Sequence, residues 1–198
     1  KKRLMELYGH KYLGVMLDND LSFKSQCALI TKSSFFCFKN LRLIKRYVPY
    51  NVFKQLVVAF ILTRLDYCNS LFYSVNIEMV NSIQLVQNTA ARLIFGLKKF
   101  DHISERLKSL HWLPVRQRII FKIAVLAFKC INGLCPDYLK SAWMSVDLIS
   151  YRSSLRSSTN GIMLTHRTKT SIGKRSFFIY APSVWNSLPC DLRTIESL

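Results

Sequence analysis

Asp18 and Asp20 are the only acidic residues spaced closely enough to invite thoughts of a shared metal ion. Nucleotidyl transfer through two metals needs carboxylates converging on ions ~3.5–4 Å apart. No third acid lies near this pair in sequence, so Asp18-Asn19-Asp20 reads as a polar turn whose aspartate bonds to its own backbone. The six cysteines, Cys27, Cys37, Cys68, Cys130, Cys135 and Cys190, include no C-x2-C pair. Cys130 and Cys135 have no Cys/His pair placed to complete a zinc site, and His102, His111 and His166 are scattered. In a long apolar chain these read as reduced core thiols. Ser104, close to His102, reads as a helix cap, and six dispersed glycines make no phosphate loop. The residue types describe a binding module without a cofactor or metal of its own.

The basic residues are the ones whose spacing points to a ligand. Lys32, Lys39 and Arg46 recur every seven residues, about two helical turns, and so form a line that can follow one phosphate strand. Lys24 and Arg42 flank that line within ~60° at the nominal helical rotation. Phe35 falls among them, and burial under a neighbouring helix is expected for it ahead of packing on a sugar or an end base. A second concentration is Arg152, Arg156, Arg167, Lys169, Lys174 and Arg175, six basic residues and no acid within 151–175. A flexible arm loses more freedom on binding than a preformed helix, which makes the helix the expected main site.

The whole chain agrees with this bias. Its 198 residues carry 29 Lys and Arg against 11 acids, a net charge of +18. The excess is even: 15 basic and 5 acidic residues in 1–100, 14 and 6 in 101–198. A field of one sign over a folded domain wants a polyanion, and nucleic acid is the usual one. A hydrophobic fraction of 50% excludes a disordered tail. The longest uncharged stretch, 15 residues from Ser176 to Cys190 with two prolines, falls short of the ~18–20 apolar residues of a membrane span. The opening lacks the pattern of a secretory leader, so an intracellular place, cytoplasmic or nuclear, is expected. The start without Met and the end at Leu198 read as a piece of something longer.

The elements that position these residues follow from periodicity. Residues 7–17 read as extended, with Gly9 and Gly14 opposing a helix. A helix is expected from Ser22 to Tyr47, stopped by Pro49, with Phe23, Cys27, Ile30, Cys37, Phe38, Leu41, Ile44 and Val48 on one face. Lys45 sits at the edge of that apolar face. A second helix, Asn51 to Phe72, is apolar nearly all round and should be central. A third runs from Ile77 to Phe95 with Gly96 as its stop, a short one covers 103–110, and another runs from Pro114 to Asn132-Gly133. A short helix near Asp137–Trp143 precedes the Ser/Thr/Arg/Lys-rich arm, after which an aromatic segment from Ser176 to Trp185 resumes the fold.

Four blocks carry a family resemblance. Tyr12-Leu13-Gly14-Val15-x-Leu17-Asp18-x-x-Leu21-Ser22-Phe23 resembles the segment directly after the catalytic palm motif in reverse transcriptases of non-LTR (LINE-type, CR1/L2-like) retrotransposons. Leu65-Asp66-Tyr67-Cys68-Asn69-Ser70-Leu71-Phe72 and Leu85-Val86-Gln87-Asn88-x-Ala90-Ala91-Arg92 resemble the same family's following helices. His111-Trp112-Leu113-Pro114-Val115-x-x-Arg118-Ile119 is the third match. Gly173-x-Arg175-Ser176-Phe177 with Ala181-Pro182-x-x-Trp185-Asn186-x-Leu188-Pro189 is the fourth.

The blocks occur in the family's order and span nearly the whole chain from Lys11. The resemblance implies the thumb and post-thumb part of an RNA-directed DNA polymerase. Its partners would be RNA or an RNA–DNA hybrid, and the palm and fingers of the parent enzyme. The paired aspartates that hold Mg2+ in such a parent belong before the first block, so this stretch has no catalytic residue. Leu13 and Gly14 correspond to a primer-grip-like hairpin, and Lys24, Lys32, Lys39, Arg42 and Arg46 to phosphate contacts on the thumb. Trp112 and Trp185 read as core anchors. The expected fold is mainly α: residues 1–21 end a palm-like β element, 22–145 form a helical bundle, 146–175 an irregular basic arm, and 176–198 an aromatic segment. Two other functions fit the composition. One is a free-standing basic nucleic-acid-binding remnant; the other is a helical scaffold meeting an acidic protein or an anionic membrane surface.

Overall fold

The computed structural model describes residues 10–140, 162–163, 165, 167–170 and 172–193. They are mainly helical, with one short antiparallel hairpin. The chain forms two compact units, Lys1–Ile119 and Ile120–Leu198. The division falls inside the stretch 22–145 expected as one bundle, because it lies within a continuous helix that no change of composition marks.

The hairpin pairs β1 (His10–Tyr12) with β2 (Val15–Leu17), Tyr12 facing Val15. Only Leu13 and Gly14 remain for the turn, at φ 45° and 84°. Two left-handed residues make the type I′ geometry whose twist matches the strands. Glycine adopts it freely, whereas a leucine pays ~1–2 kcal/mol. After β2 the carboxylate of Asp18 accepts the backbone N–H and the hydroxyl of Ser22, and its carbonyl accepts the Leu21 N–H. The expected polar turn is present, and it leads into the first long helix.

Helix α1 (Lys24–Ile44) buries Cys27, Ile30, Ser34, Phe38 and Leu41, spaced three or four apart as a helical stripe must be. Phe23 is buried just ahead of it, its ring edge-on to Phe72 at 6.1 Å. Gln26 is buried too, and its Oε1 accepts the Met16 N–H at 2.9 Å, tying the helix to β2. Ile44, expected on the apolar face, is exposed. The helix ends there and tightens into a 3-10 turn, Lys45–Tyr47, ahead of Pro49.

The helix expected over 51–72 is three pieces and a break. A continuous run comprises α2 (Tyr50–Val57), a π segment (Val58–Leu62) and α3 (Thr63–Asp66). Phe53, Val57, Ile61 and Leu65 are all buried. Strict four-residue steps overshoot a 3.6-residue turn, and the wider π turn absorbs the excess, so one face stays inward. Val52, Val58 and Phe60 point out, so the helix is not enclosed all round. Tyr67 is extended and Cys68 left-handed at φ 52°, which ends the run before a 3-10 turn, Asn69–Phe72.

Helix α4 (Ile77–Phe95) begins where the Asn76 side chain accepts the Glu78 N–H at 3.2 Å. It stops at Gly96, φ 68°, where the Leu97 N–H reaches back to the Arg92 carbonyl at 3.0 Å, as the sequence predicts. Helix α1 packs along α4, and both bury small residues, Ser34 on one and Ala90 and Ala91 on the other. A short α5 (Ser104–Ser109) and then α6 (Val115–Ile131) follow, with Trp112 buried between them in sequence. The expectation of Trp112 as a core anchor holds.

In the second unit Gly133, φ 66°, ends α6, and the Leu134 N–H returns to the Lys129 carbonyl. The aromatic segment is a helix, α7 (Phe177–Asn186), with Pro182 inside it and α8 (Cys190–Arg193) after it. Trp185 is buried and lies 6.5 Å from Phe128 of α6. The Asn186 amide clamps the Met163 backbone, accepting its N–H and donating to its carbonyl, both at 2.8 Å. Among the described residues no helix is long and apolar enough to cross a membrane.

Candidate nucleic-acid interface

The side of α1 opposite its buried stripe carries Lys32 and Lys39, and Lys24 lies about 80° round the axis from Lys32. Lys24, Lys32 and Lys39 are exposed, and none pairs with a carboxylate among the described residues. The five expected contacts do not form one line. Arg46 lies beyond α1 in the 3-10 turn, where its guanidinium stacks over Tyr47 at 4.7 Å. Arg42 turns toward α4. The reason is local: the helix ends at Ile44, so the seven-residue rhythm loses its third member. Alongside the lysines runs a second line with the same spacing: Leu29, Phe36 and Leu43, the last two 67% and 65% exposed. Sequence reasoning left these three on neither face. Their signal was present, since each lies about half a helical turn from the Phe38–Leu41 stripe.

Between α1 and α4 opens a groove of about 720 Å³. Phe35, Arg42 and Lys45 form one wall; Asn88, Thr89 and Arg92 contribute from α4, and Lys99 and Phe100 from the turn beyond it. No lining residue is acidic. Phe35 is 42% exposed, its ring edge-on to Phe38 at 5.6 Å, so it is neither free in solvent nor covered by a neighbouring helix. Phe100 is 88% exposed, with the Lys99 amine 5.5 Å from its ring. Lys45, the residue that spoils the division of faces, has a structural role. Its amine donates to the Leu93 carbonyl in the last turn of α4 and lies over the Phe53 ring. A cation is favoured at that end of a helix.

The hairpin residues Leu13 and Gly14 lie at a tip fixed by Tyr67. The tyrosine hydroxyl donates to the Leu13 carbonyl, and a Cβ on Gly14 would meet its ring at 3.6 Å. That is ordinary contact, so it is the left-handed backbone that calls for glycine there. The Leu13 side chain is exposed.

The second and third blocks meet in a polar junction that the sequence did not disclose. The Arg118 guanidinium donates to both oxygens of Asp66, and its Nε donates to the Leu113 carbonyl at 3.2 Å. Gln87 is fully buried, and its amide donates to that same carbonyl at 2.8 Å. Gln84 donates to Gln87 and Asn88, both at 2.9 Å, and accepts the Val115 N–H at 2.8 Å. Thus Leu113 and Val115, whose backbone groups the chain exposes at the start of α6, are satisfied by side chains of α4. Two glutamines three residues apart on one helix are the only hint the sequence offered.

No family model, curated protein or solved structure matches this chain.

Three carboxylates of the described residues are held by neighbouring groups. Asp18 is engaged by Ser22, Asp66 by Arg118 and Asp101 by the Lys98 N–H. No group of three or more His, Cys, Asp or Glu occurs among the described residues. The cysteines are not in disulfides; Cys27 and Cys130 are buried, while Cys190 is exposed, so only two are core thiols. Burial pushes the Cys27 thiol up to about 11, with Asp18 adding to it. Burial and a hydrogen bond with Cys135 push Cys130 up to about 12. Both stay neutral and unreactive at physiological pH.

Of the arm, Arg167, Lys169 and Lys174 are exposed and Arg175 is half-buried. Lys174 and Arg175 sit in a 3-10 turn, Gly173–Arg175, so this end of the arm is not irregular. A Cβ on Gly173 would lie 2.8 Å from the Thr170 hydroxyl oxygen, which only glycine tolerates there without a shift. Arg152 and Arg156 lie outside the described residues.

Proposed function

We propose that this chain is the thumb and C-terminal part of a non-LTR-type reverse transcriptase and that it holds RNA or an RNA–DNA hybrid while a separate palm extends DNA. The observation that carries the reading is the open row Lys24, Lys32 and Lys39, which meets no carboxylate among the described residues, in a chain of net charge +18. Successive members of the Lys32/Lys39 spacing lie ~10 Å apart along the axis, a separation over which a helix can touch one strand more than once. The four blocks in family order support the polymerase origin. The family's paired aspartates belong before the first block, so in this reading the chain alone binds and does not polymerise. Filter binding of an RNA–DNA hybrid against salt tests this: phosphate contacts give a log–log slope of roughly −0.7 to −0.9 per contact.

One observation favours a second reading. Leu29, Phe36 and Leu43 place an apolar line beside the lysines, the composition of a protein-docking face with a basic rim. A scaffold of that kind would bind nucleic acid weakly and without a steep salt slope.

A further inference from the structure

The groove between α1 and α4 differs from the lysine row in two respects that bear on what it takes. It is concave, and it is aromatic as well as basic. Its volume of about 720 Å³ falls among those of ligand pockets, roughly 300–1,000 Å³. A duplex offers phosphates to a convex basic face but hides its bases; only an unpaired nucleotide can place both a phosphate and a ring inside a groove.

The side chains match those two needs. Arg42 and Lys99 bring cations without a carboxylate partner among the described residues. Arg92 holds the Asp101 carbonyl through one terminal nitrogen at 3.2 Å, while its Nε, shielded from solvent, has no acceptor. Lys45 is committed to Leu93 and leaves the cationic work to the others. Phe100 is the most exposed large apolar residue among the described residues, carried on a turn that the Asp101 carboxylate fixes by accepting the Lys98 N–H at 2.7 Å. An aromatic ring held out by a braced turn, with an ammonium over it, loses little freedom when a base stacks on it. Phe35 supplies a second apolar surface on the opposite wall, and Asn88 and Thr89 supply neutral polar groups between them.

We propose that this groove binds an unpaired segment of single-stranded nucleic acid, with a base on Phe100 and phosphates against Arg42 and Lys99. The inference rests on the nucleic-acid reading and deepens it, dividing the work: the α1 lysines take paired regions and the groove takes a single strand. Base stacking on an aromatic side chain is worth ~1–3 kcal/mol by alanine substitution, a loss of about 5-fold to 150-fold in affinity.

The test uses the full chain with a short labelled oligouridine, a blunt RNA–DNA hybrid, and uridine monophosphate as probes. Phe100→Ala removes a ring that is almost wholly in solvent, so the fold is retained, and circular dichroism checks that. The proposal expects oligouridine binding to weaken by at least 5-fold, hybrid binding to stay within 2-fold, and Phe100→Trp to restore single-strand affinity with quenched tryptophan emission. Unchanged oligouridine binding by Phe100→Ala, while Lys24→Gln/Lys32→Gln/Lys39→Gln weakens the hybrid, overturns the groove and leaves the nucleic-acid reading standing. Binding of neither strand nor hybrid by the unaltered protein defeats both. Phe100-dependent binding of uridine monophosphate without binding of oligouridine also overturns the proposal, because the groove then takes a free nucleotide.

Discussion

Two charged regions of the first unit behave in opposite ways. At the polar junction, Asp66 and Arg118 neutralise each other, and Gln84 and Gln87 satisfy the backbone of Leu113 and Val115. On α1, Lys24, Lys32 and Lys39 meet no carboxylate among the described residues. Asp66, Gln87 and Arg118 of the junction belong to the blocks that carry the family resemblance, and Gln84 stands one residue before its block; the lysine row lies between blocks. Sequence motifs here mark what the fold needs at its corners and seams. The surface proposed to meet a polyanion is marked by charge and period instead, which constrain residue type much less tightly.

The backbone makes the same distinction. Leu13, Leu21, Phe23, Cys68 and His111 are the non-glycine residues with positive φ among the described residues, and all five belong to the blocks. Each costs energy and persists because its surroundings demand it. Phe23 must turn to reach Phe72, and Cys68 must turn so that Asn69 and Phe72 go inward.

The largest effect on stability is expected at Trp112. Trp112→Ala should cost roughly 3–5 kcal/mol in urea unfolding, because it removes a buried indole from the third block. A loss under about 1 kcal/mol would mean that the block is not structural. Next is Gln87→Ala, which removes a fully buried side chain and leaves the Leu113 carbonyl and the Gln84 amide each one partner short. A cost of about 1–3 kcal/mol is expected, with hybrid affinity unchanged once the protein is folded. Should affinity fall instead, the junction would belong to the binding surface.

His111→Gly sharpens the point at smaller scale and with the opposite sign. The side chain is exposed and the backbone left-handed at φ 56°. Relief of a ~1–2 kcal/mol conformational cost, less glycine's ~0.4–1 kcal/mol of added unfolded-state entropy, should raise stability by about 0.5–1 kcal/mol. A thermal melt showing destabilisation would assign the imidazole a role that its exposure does not disclose.

Much of the first unit was legible in advance because local rules govern it. The polar turn at Asp18, the stripe of α1, and the stop of α4 at Gly96 follow from Asx chemistry, helical period and left-handed glycine. The break after Asp66 was not legible. Residues 51–72 keep helical composition throughout, and Asp66, at the end of the run, is held by Arg118, far away in sequence. The candidate site was half legible for a similar reason. Period alone placed Lys24, Lys32 and Lys39 outward, but the groove needs α4 and the Lys98–Asp101 turn to close on α1. No pattern within α1 announces those neighbours.

Smallest in its effect on stability, and most direct for function, is the removal of the open row. Lys24→Gln, Lys32→Gln and Lys39→Gln together touch no described ion pair and should leave the unfolding free energy within ~0.5 kcal/mol per site. The decisive measurement is hybrid affinity of this triple variant across a salt series, beside the unaltered protein. The row as a phosphate track predicts weaker binding to every sequence and a log–log slope flatter by roughly one unit per lost contact. A folded triple variant with unchanged affinity and slope would contradict it, and loss of binding on replacing Arg167, Lys169 and Lys174 instead would move the contact to the arm.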